Sequence, residues 1–510
     1  MGVGLRAVPP AAGALSLGRL AGSSFPDSGN RGCPWGRSEA TSIIPNRSLS
    51  SGDVKWLWPL DRESLGFHVV HNRGARMGFF LMTLNSTSPL KTEDVERALS
   101  HLQRKNPAMR VDIRLRDDVW WFCEQVGRKV DFKMLGEGAS SLEECRRMSE
   151  RGFPDGDTWK FRMIPRGKEA PCVMPEVKGD FPYQYDVLMT SHHALGDGLS
   201  VSMIVKRMVE LLNDVILGRH VDDEATTRFL PREELWEIES RITKKLQEDP
   251  ERHDFVQGTM PDSSPLLLRA FPRPSADRVT TGYLTRTVDL EATQNFERLC
   301  KAQGVTINGA FTSVINIALA RLVQKSGISQ ESYRIASNHL VSVIRYLKQT
   351  PRDIMGGYPL YLSHISDITS DRVTDHFWEY AKEVNRELRE GLTSELPLEQ
   401  KLARLMTQPD QVEQWARKPP PVVHDFGITN IARFPMPERR EDDQVLVTDA
   451  TSVAMVHGFT HMLLFLVHTF RDRCNYSLSY ATDYFTDETA ILLADEVMSV
   501  YREVSGVKEI

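Results

Sequence analysis

Between Tyr183 and Ile216 the chain changes its hydrophobic period within a few residues. "YQYDVLMTSHH" (183–193) is rich in β-formers and apolar side chains and reads as a strand. "ALGDG" (194–198) breaks it. "LSVSMIVKRMVELLNDVI" (199–216) is then a helix, with Leu199, Met203, Met208, Leu211, Leu212 and Val215 on one broad face. The octapeptide "SHHALGDG" (191–198) therefore sits at a strand-to-loop-to-helix junction. Loops held between rigid elements at such junctions often carry chemistry.

The same mixture of strands and long helices recurs along the chain, which points to a mixed α/β class. "MGFFLMTL" (77–84) reads as a buried strand. "KTEDVERALSHLQRK" (91–105) reads as a helix with its stripe at Val95, Ala98, Leu99 and Leu102. "MRVDIRL" and "VWWFCEQV" follow as strands, and a helix fits 141–153. Residues 246–277 hold several prolines and no sustained periodicity, so they read as a connection. Beyond it come a strand at 282–290, helices at 291–303 and 306–325, and strands at 339–347, 356–365 and 422–434. A helix at 371–391, a hairpin of "MLLFLVHTF" with "NYSLSYAT", and a final helix at 487–504 complete the pattern.

A chain of 510 residues exceeds one ordinary core and suggests two halves. The formal charge of -6 leaves no basic footprint, so nucleic acid is not an expected partner. No apolar run is long enough to span a bilayer. The six cysteines are widely spaced and form no CxxC pair, which suits free thiols in a reducing compartment and supplies no zinc cluster. In the first fifty residues Arg6, Arg19, Arg31, Arg37 and Arg47 face only Asp27 and Glu39, among frequent Ser, Gly and Pro. That composition fits a disordered extension over 1–55, or a mitochondrial transit peptide. The expected location is cytoplasmic, or mitochondrial if this stretch is a targeting signal.

His-x-x-x-Asp is weak as bare spacing: His193…Asp197 and His468…Asp472 both satisfy it. The second falls in the hairpin turn and reads as solvated. The first follows a buried strand, holds the only adjacent pair among fourteen histidines, and has Gly198 after the aspartate. Neighbouring strand residues point to opposite faces, so one histidine would face a substrate and the other would pack. An imidazole titrating near pH ~6.5 can take a proton from a hydroxyl or amine. The alternative is plain: Asp197 caps the following helix and both histidines are core residues.

"SHHALGDG" resembles the HHxxxDG signature of the condensation-domain and acyltransferase superfamily. That group includes peptide condensation domains, alcohol acetyltransferases, polyketide-associated acyltransferases and carnitine acyltransferases. Further stretches resemble it in the same order over roughly residues 56–505. "ALSHLQRKNPAMRVDI" (98–113) is similar to its first helix and "rHPaLR" turn, with Asn106 in place of histidine. "AQGVTINGAFTSVINIALAR" (302–321), "VSVIRYL" (341–347) and "NYSLSYATDYF" (475–485) are similar to a later helix, an arginine-bearing strand and the penultimate strand. "DFGITNIARF" (425–434) resembles the "SNLG" strand end of alcohol acetyltransferases through Thr429-Asn430-Ile431-Ala432, with Ala432 where glycine is usual.

The resemblance implies a chloramphenicol acetyltransferase-like fold. Two mixed α/β subdomains, each a two-layer α+β sandwich, meet in a V with a tunnel at their interface. Residues 56–250 would form the first subdomain, 251–277 the linker and 278–510 the second. It makes His193 the general base, Asp197 a structural partner of an arginine, with Arg345 the candidate, Gly198 the residue that keeps the channel open, and His192 a packing or orienting residue. Asn430 and Thr429 are candidates for oxyanion or substrate binding. The implied reaction is acyl transfer from a thioester, acyl-CoA or carrier-linked, to a small-molecule alcohol or amine. It uses no metal and no bound cofactor, and a monomer suffices. The alternatives are a condensation enzyme working with a separate carrier protein and a non-catalytic binding module with the same fold.

Overall fold

The computed structural model describes residues 54–507 except 73, 126, 128, 154–156, 168, 276–278, 349–352, 371, 373–374, 409–413, 415–417 and 419. The readings of the N-terminal stretch lie outside the described residues, apart from Val54 and Lys55, which already belong to the first strand.

The first half runs β1 (Val54–Pro59), α1 (Arg62–His71), β2 (Gly78–Ser86), α2 (Thr92–Lys105), β3 (Val111–Arg116), β4 (Val119–Gln125), β5 (Asp131–Met134), α3 (Ser141–Arg151), β6 (Trp159–Pro165), β7 (Tyr183–Ser191) and α4 (Gly198–Ile216). Then come β8 (Arg228–Phe229), α5 (Arg232–Glu248), α6 (Pro250–Gly258), α7 (Leu267–Ala270), β9 (Thr281–Thr287), α8 (Leu290–Gln303), α9 (Ile307–Lys325), β10 (Ser332–Val341), β11 (Ile354–Met355), β12 (Leu360–Thr369), α10 (Phe377–Thr393) and α11 (Leu396–Thr407). The chain closes with β13 (Phe426–Arg433), β14 (Val445–Ala454), β15 (Leu463–Phe470), β16 (Arg473–Ala481) and α12 (Asp487–Ser505).

Two large sheets organise these elements. The five-stranded sheet has the order β14-β2-β7-β6-β5, the six-stranded sheet β12-β10-β13-β15-β16-β9. In the first sheet β7 pairs antiparallel with both β2 and β6. Tyr185, Val187 and Met189 of β7 pack with the stripes of α2 (Val95, Ala98, Leu99, Leu102) and α4 (Ile204, Met208, Leu211, Leu212). Leu188 points the other way, against Cys145 and Met148 of α3. Both faces are covered, which is why β7 reads as an almost continuous apolar run. Against the second sheet α9 is buried from Gly309 through Ala320. Its buried polar side chains are satisfied inside: Thr312 and Ser313 donate to the Asn308 and Gly309 carbonyls, and Asn316 Nδ2 donates to the Tyr380 hydroxyl at 2.8 Å. The hairpin between β15 and β16 turns on Arg471 and Asp472, with φ of 48° and 59°. Two consecutive positive φ values match the right-handed twist of the paired strands.

Three sequence expectations change. The stretch 251–277 is not a bare linker, since α6 and α7 lie within it. Asp249 caps α6 through a bond from the Arg252 amide, and Pro250 sits at the first helical position, where its missing N–H costs nothing. A boundary at 278 does not separate the two sheets either. Strand β14, from the C-terminal part, pairs antiparallel with β2 from Val445↔Ser86 to Ala454↔Gly78. Finally, His468 is not solvated: it is 1% exposed on β15 and its Nε2 donates to the Ala450 carbonyl at 2.8 Å. Among the described residues no single helix is long and apolar enough to cross a membrane.

Candidate active site

The β7 ladder ends one residue before the histidine pair. The His192 amide donates to the Thr158 carbonyl at 2.8 Å, and His193–Leu195 form one 3-10 turn. The opposite-face argument for two strand residues therefore does not apply. The turn itself separates the two side chains.

His192 is completely buried. Its Nδ1 accepts from the Ala194 amide at 3.3 Å, so it helps close the turn. The rings of His71 (4.5 Å between centroids), Phe153 (5.4 Å) and His68 (5.6 Å) surround it. Burial, reinforced by the neighbouring imidazoles, holds it well below the ordinary imidazole pKa and hence neutral. It is a packing residue.

His193 is half-buried, with its ring against Phe67 of α1 at 4.7 Å. Its Nδ1 lies 3.0 Å from the Gly196 carbonyl oxygen. A carbonyl only accepts, so Nδ1 carries the proton and Nε2 keeps its lone pair. Burial lowers the pKa of His193, opposed by the Gly196 carbonyl and the charge of Asp197. The neutral, proton-accepting form is thus favoured around neutral pH.

The residues after His193 hold this arrangement. Gly196 has extended backbone, and a Cβ there would meet Val201 Cγ2 at 2.7 Å, so a side chain would push the loop off α4. Asp197 caps α4: its Oδ1 accepts from the Ser200 amide at 2.8 Å, and Ser200 Oγ accepts from the Asp197 amide at 2.9 Å. Its Oδ2 accepts from Ser342 Oγ at 3.1 Å, just beyond β10. The expected partner Arg345 is instead exposed on the following 3-10 turn, and no ion pair joins it to Asp197. The cap and Ser342 occupy the carboxylate. Gly198 begins α4, and a Cβ there would sit 3.1 Å from Ile431 Cγ2 of β13.

Thr429 and Asn430 flank that contact, both partly buried on β13. Asn430 Oδ1 accepts from the Ala432 amide at 2.8 Å across a break in the β13–β15 register. Ala432 has a φ of 58°, the left-handed backbone that favours glycine, and the Asn430 bond holds it there. Asn430 Nδ2 has no hydrogen-bond partner among the described residues.

Sequence reasoning missed Gly357. Its amide donates to the Ala194 carbonyl at 3.0 Å, and a Cβ there would fall 1.9 Å from the His193 carbonyl oxygen. The loop before β12 thus lies directly on the His193 turn. The pair Gly356-Gly357 between two strand-like runs was the available signal. Phe67 and the rest of α1 were missed too. Helix α1 is buried on most sides and shows no amphipathic stripe.

No family model and no curated protein matches the sequence. Solved structures do match its fold. Trichothecene 15-O-acetyltransferase TRI3 from Fusarium sporotrichioides is similar with a TM-score of 0.62 at 12% identity, covering 90% of this chain and 97% of that one. The condensation domain of the monacolin K polyketide synthase MokA gives 0.62 at 11%, covering 89% and 98%. Polyketide synthase associated protein 5 from Mycobacterium tuberculosis gives 0.60 at 10%, covering 88% and 100%. The chain has the chloramphenicol acetyltransferase-like fold of condensation domains and acyltransferases.

Proposed function

We propose that the protein is an acyltransferase that moves an acyl group from a thioester to a hydroxyl or amine, with His193 as general base. The single observation that carries this reading is the Nδ1 contact of His193 with the Gly196 carbonyl, 3.0 Å long, which leaves Nε2 basic. Nε2 takes the acceptor proton as the acceptor oxygen or nitrogen attacks the thioester carbonyl. The tetrahedral oxyanion collapses, the C–S bond breaks, and His193 returns the proton to the departing sulfur. Thioester and acceptor become ester or amide and free thiol. General base catalysis of this kind contributes ~10²–10⁴-fold. Asn430 Nδ2 is our candidate oxyanion donor, with Thr429 beside it; an oxyanion donor is worth about 10²–10³-fold. Asp197 and Gly198 are positioning residues: one ties the loop to Ser342, the other lets Ile431 approach.

We take the donor to be acyl-CoA and the working unit to be one chain. The likeness to condensation domains supports a second donor class, an acyl chain on a separate carrier protein. The test is mass detection of acylated acceptor together with thiol, in equal amounts, from a panel of acyl-CoAs and acyl-loaded carrier protein with mixed alcohols and amines. Product from the CoA donors supports the reading. Product from the carrier alone selects the second. Ligand binding with no product from any donor favours a binding module.

A further inference from the structure

We propose that Asn338, Ser363, His424 and His461 form a binding site for a second, uncharged hydroxyl of the acceptor, on the face of the six-stranded sheet that leads away from Asp197. The inference rests on the acyl-transfer reading for the word acceptor, and on strand register and hydrogen-bond geometry for the rest.

The sheet fixes which side chains share this face. Tyr333 and Ile335 of β10, Leu362 of β12 and Phe426 and Ile428 of β13 point into the core with α9. Alternation then places Asn338, Ser363 and Gly427 on the opposite face. Register puts these three side by side, since Asn338 pairs with Ser363 on one flank and with Gly427 on the other. Two histidines from the ends of neighbouring strands close on this row. His424 Nε2 lies 2.9 Å from Ser363 Oγ. His461 is bridged to His424 in the same parallel register, and its Nε2 lies 2.8 Å from where a Gly427 Cβ would be. The missing side chain of Gly427 is what lets the His461 ring approach the row.

The row carries hydrogen-bonding atoms that the chain leaves unused. Asn338 is 5% exposed and His461 1%. Asn338 Oδ1, His424 Nδ1 and both ring nitrogens of His461 are buried with no partner among the described residues. Unpaired polar atoms in a buried place are costly, and a ligand that pairs with them is favoured accordingly. Ser363 is partly exposed, as is Ile365 on the same face of the edge strand β12, so the row is reachable from solvent. The Ser363 backbone is held by Gln400 of α11, which accepts from its amide at 2.9 Å and donates to its carbonyl at 3.2 Å.

The chemistry of the row selects the ligand. Burial keeps both imidazoles neutral, and the nearby Arg76 and Arg404 act in the same direction. Neutral imidazole, amide and hydroxyl each donate and accept, as a ligand hydroxyl does. Four residues further along the same two strands, Ser342 bonds Asp197 and Ile431 meets Gly198. Four extended residues span about 13 Å. Leu340 and Leu466 lie on the face between, so the stretch joining the two ends is apolar. The acceptor that fits has two hydroxyls at the ends of an apolar body of roughly that length.

Calorimetric titration of the full chain with nonane-1,9-diol and with 1-nonanol tests this without requiring turnover. An apolar groove alone would prefer the more apolar nonanol. The expected result is at least tenfold tighter binding of the diol, with that preference reduced about tenfold in Asn338→Leu, because a site built for a hydroxyl discriminates against the analogue that lacks it. Should Asn338→Leu not fold, Ser363→Ala removes a single hydroxyl and is expected to reduce the same preference. Equal binding of the two, binding of neither, or an unchanged preference in the folded variant overturns the proposal. So does tighter binding of 9-hydroxynonanoate than of the diol, which would mark an anion site instead. Diol-selective binding with no thiol release from any donor leaves this site standing and removes the acyl-transfer reading. Acyl transfer to simple alcohols with no diol preference does the reverse.

Discussion

Gly357→Ala is the substitution whose consequence the structure sets most directly. The new Cβ would lie 1.9 Å from the His193 carbonyl oxygen and 2.8 Å from both Cα and the carbonyl carbon of Ala194. These are backbone atoms, so no side chain can rotate away. Relief needs the loop before β12 or the His193 turn to move by more than about 1 Å, since carbon contacts settle near ~3.5 Å. Overpacking of this kind costs about 1–3 kcal/mol. Losing the Gly357 amide bond to the Ala194 carbonyl adds about 0.5–1.5 kcal/mol. We expect a loss of about 2–4 kcal/mol in urea unfolding. A shift of about 1 Å in the His193 turn is expected to reduce kcat/KM by about 10²-fold. Gly136→Ala is the control, because nothing lies within 4 Å of its Cβ position. If Gly357→Ala unfolds at the same urea midpoint as wild type and as Gly136→Ala, the placement of the loop on the His193 turn is wrong.

Three further outcomes are expected. Asp197→Ala should cost about 1–2 kcal/mol through loss of the α4 cap, and a double-mutant cycle with Ser342→Ala should show coupling of about 0.5–1.5 kcal/mol, whereas Arg345→Ala should change urea stability by less than about 0.5 kcal/mol; coupling of Asp197 to Arg345 instead would reinstate the ion pair. Burial lowers His68 to about 3 and His424 and His468 to about 4, so each folded pKa lies below its unfolded value near 6.5. Their stabilisation is complete above about pH 6.5 and falls as pH drops toward 4, by up to ~1.4 kcal/mol per pH unit for each group. Asp425, raised by burial to about 6, acts in the opposite sense over the same interval and offsets about one histidine. Urea midpoints measured from pH 7 to pH 5 should therefore decline, and a flat profile would contradict neutral burial of these imidazoles.

Much of this architecture can be read from the chain. The change of period at 191–199 places β7, the turn and α4, and the stripe Val95-Ala98-Leu99-Leu102 places α2. These are local signals, carried by neighbours within a few turns. What could not be read depends on distant partners. β14 joins the first sheet through β2, more than 350 residues earlier, and nothing in Val445–Ala454 names that partner. Helix α6 was hidden by Pro250, which a helix interior rejects and a first turn accepts. The site shows the same division. His193, Asp197 and Gly198 stand out within one octapeptide, whereas Gly357, Ser342 and Phe67 reach it by folding. Arg345 failed as the partner of Asp197 because a 3-10 turn after β10 directs it to solvent and Ser342 takes the bond.

The central claim is that Nε2 of His193 accepts the acceptor proton. The measurement that tests it most directly is acceptor-dependent thiol release by wild type, His193→Ala and His192→Gln, each checked for an unchanged far-ultraviolet dichroism spectrum. The account predicts a fall of about 10²–10⁴-fold for His193→Ala and a stability loss exceeding any specific rate loss for His192→Gln. Equal acceptor-dependent rates in wild type and a folded His193→Ala would contradict it.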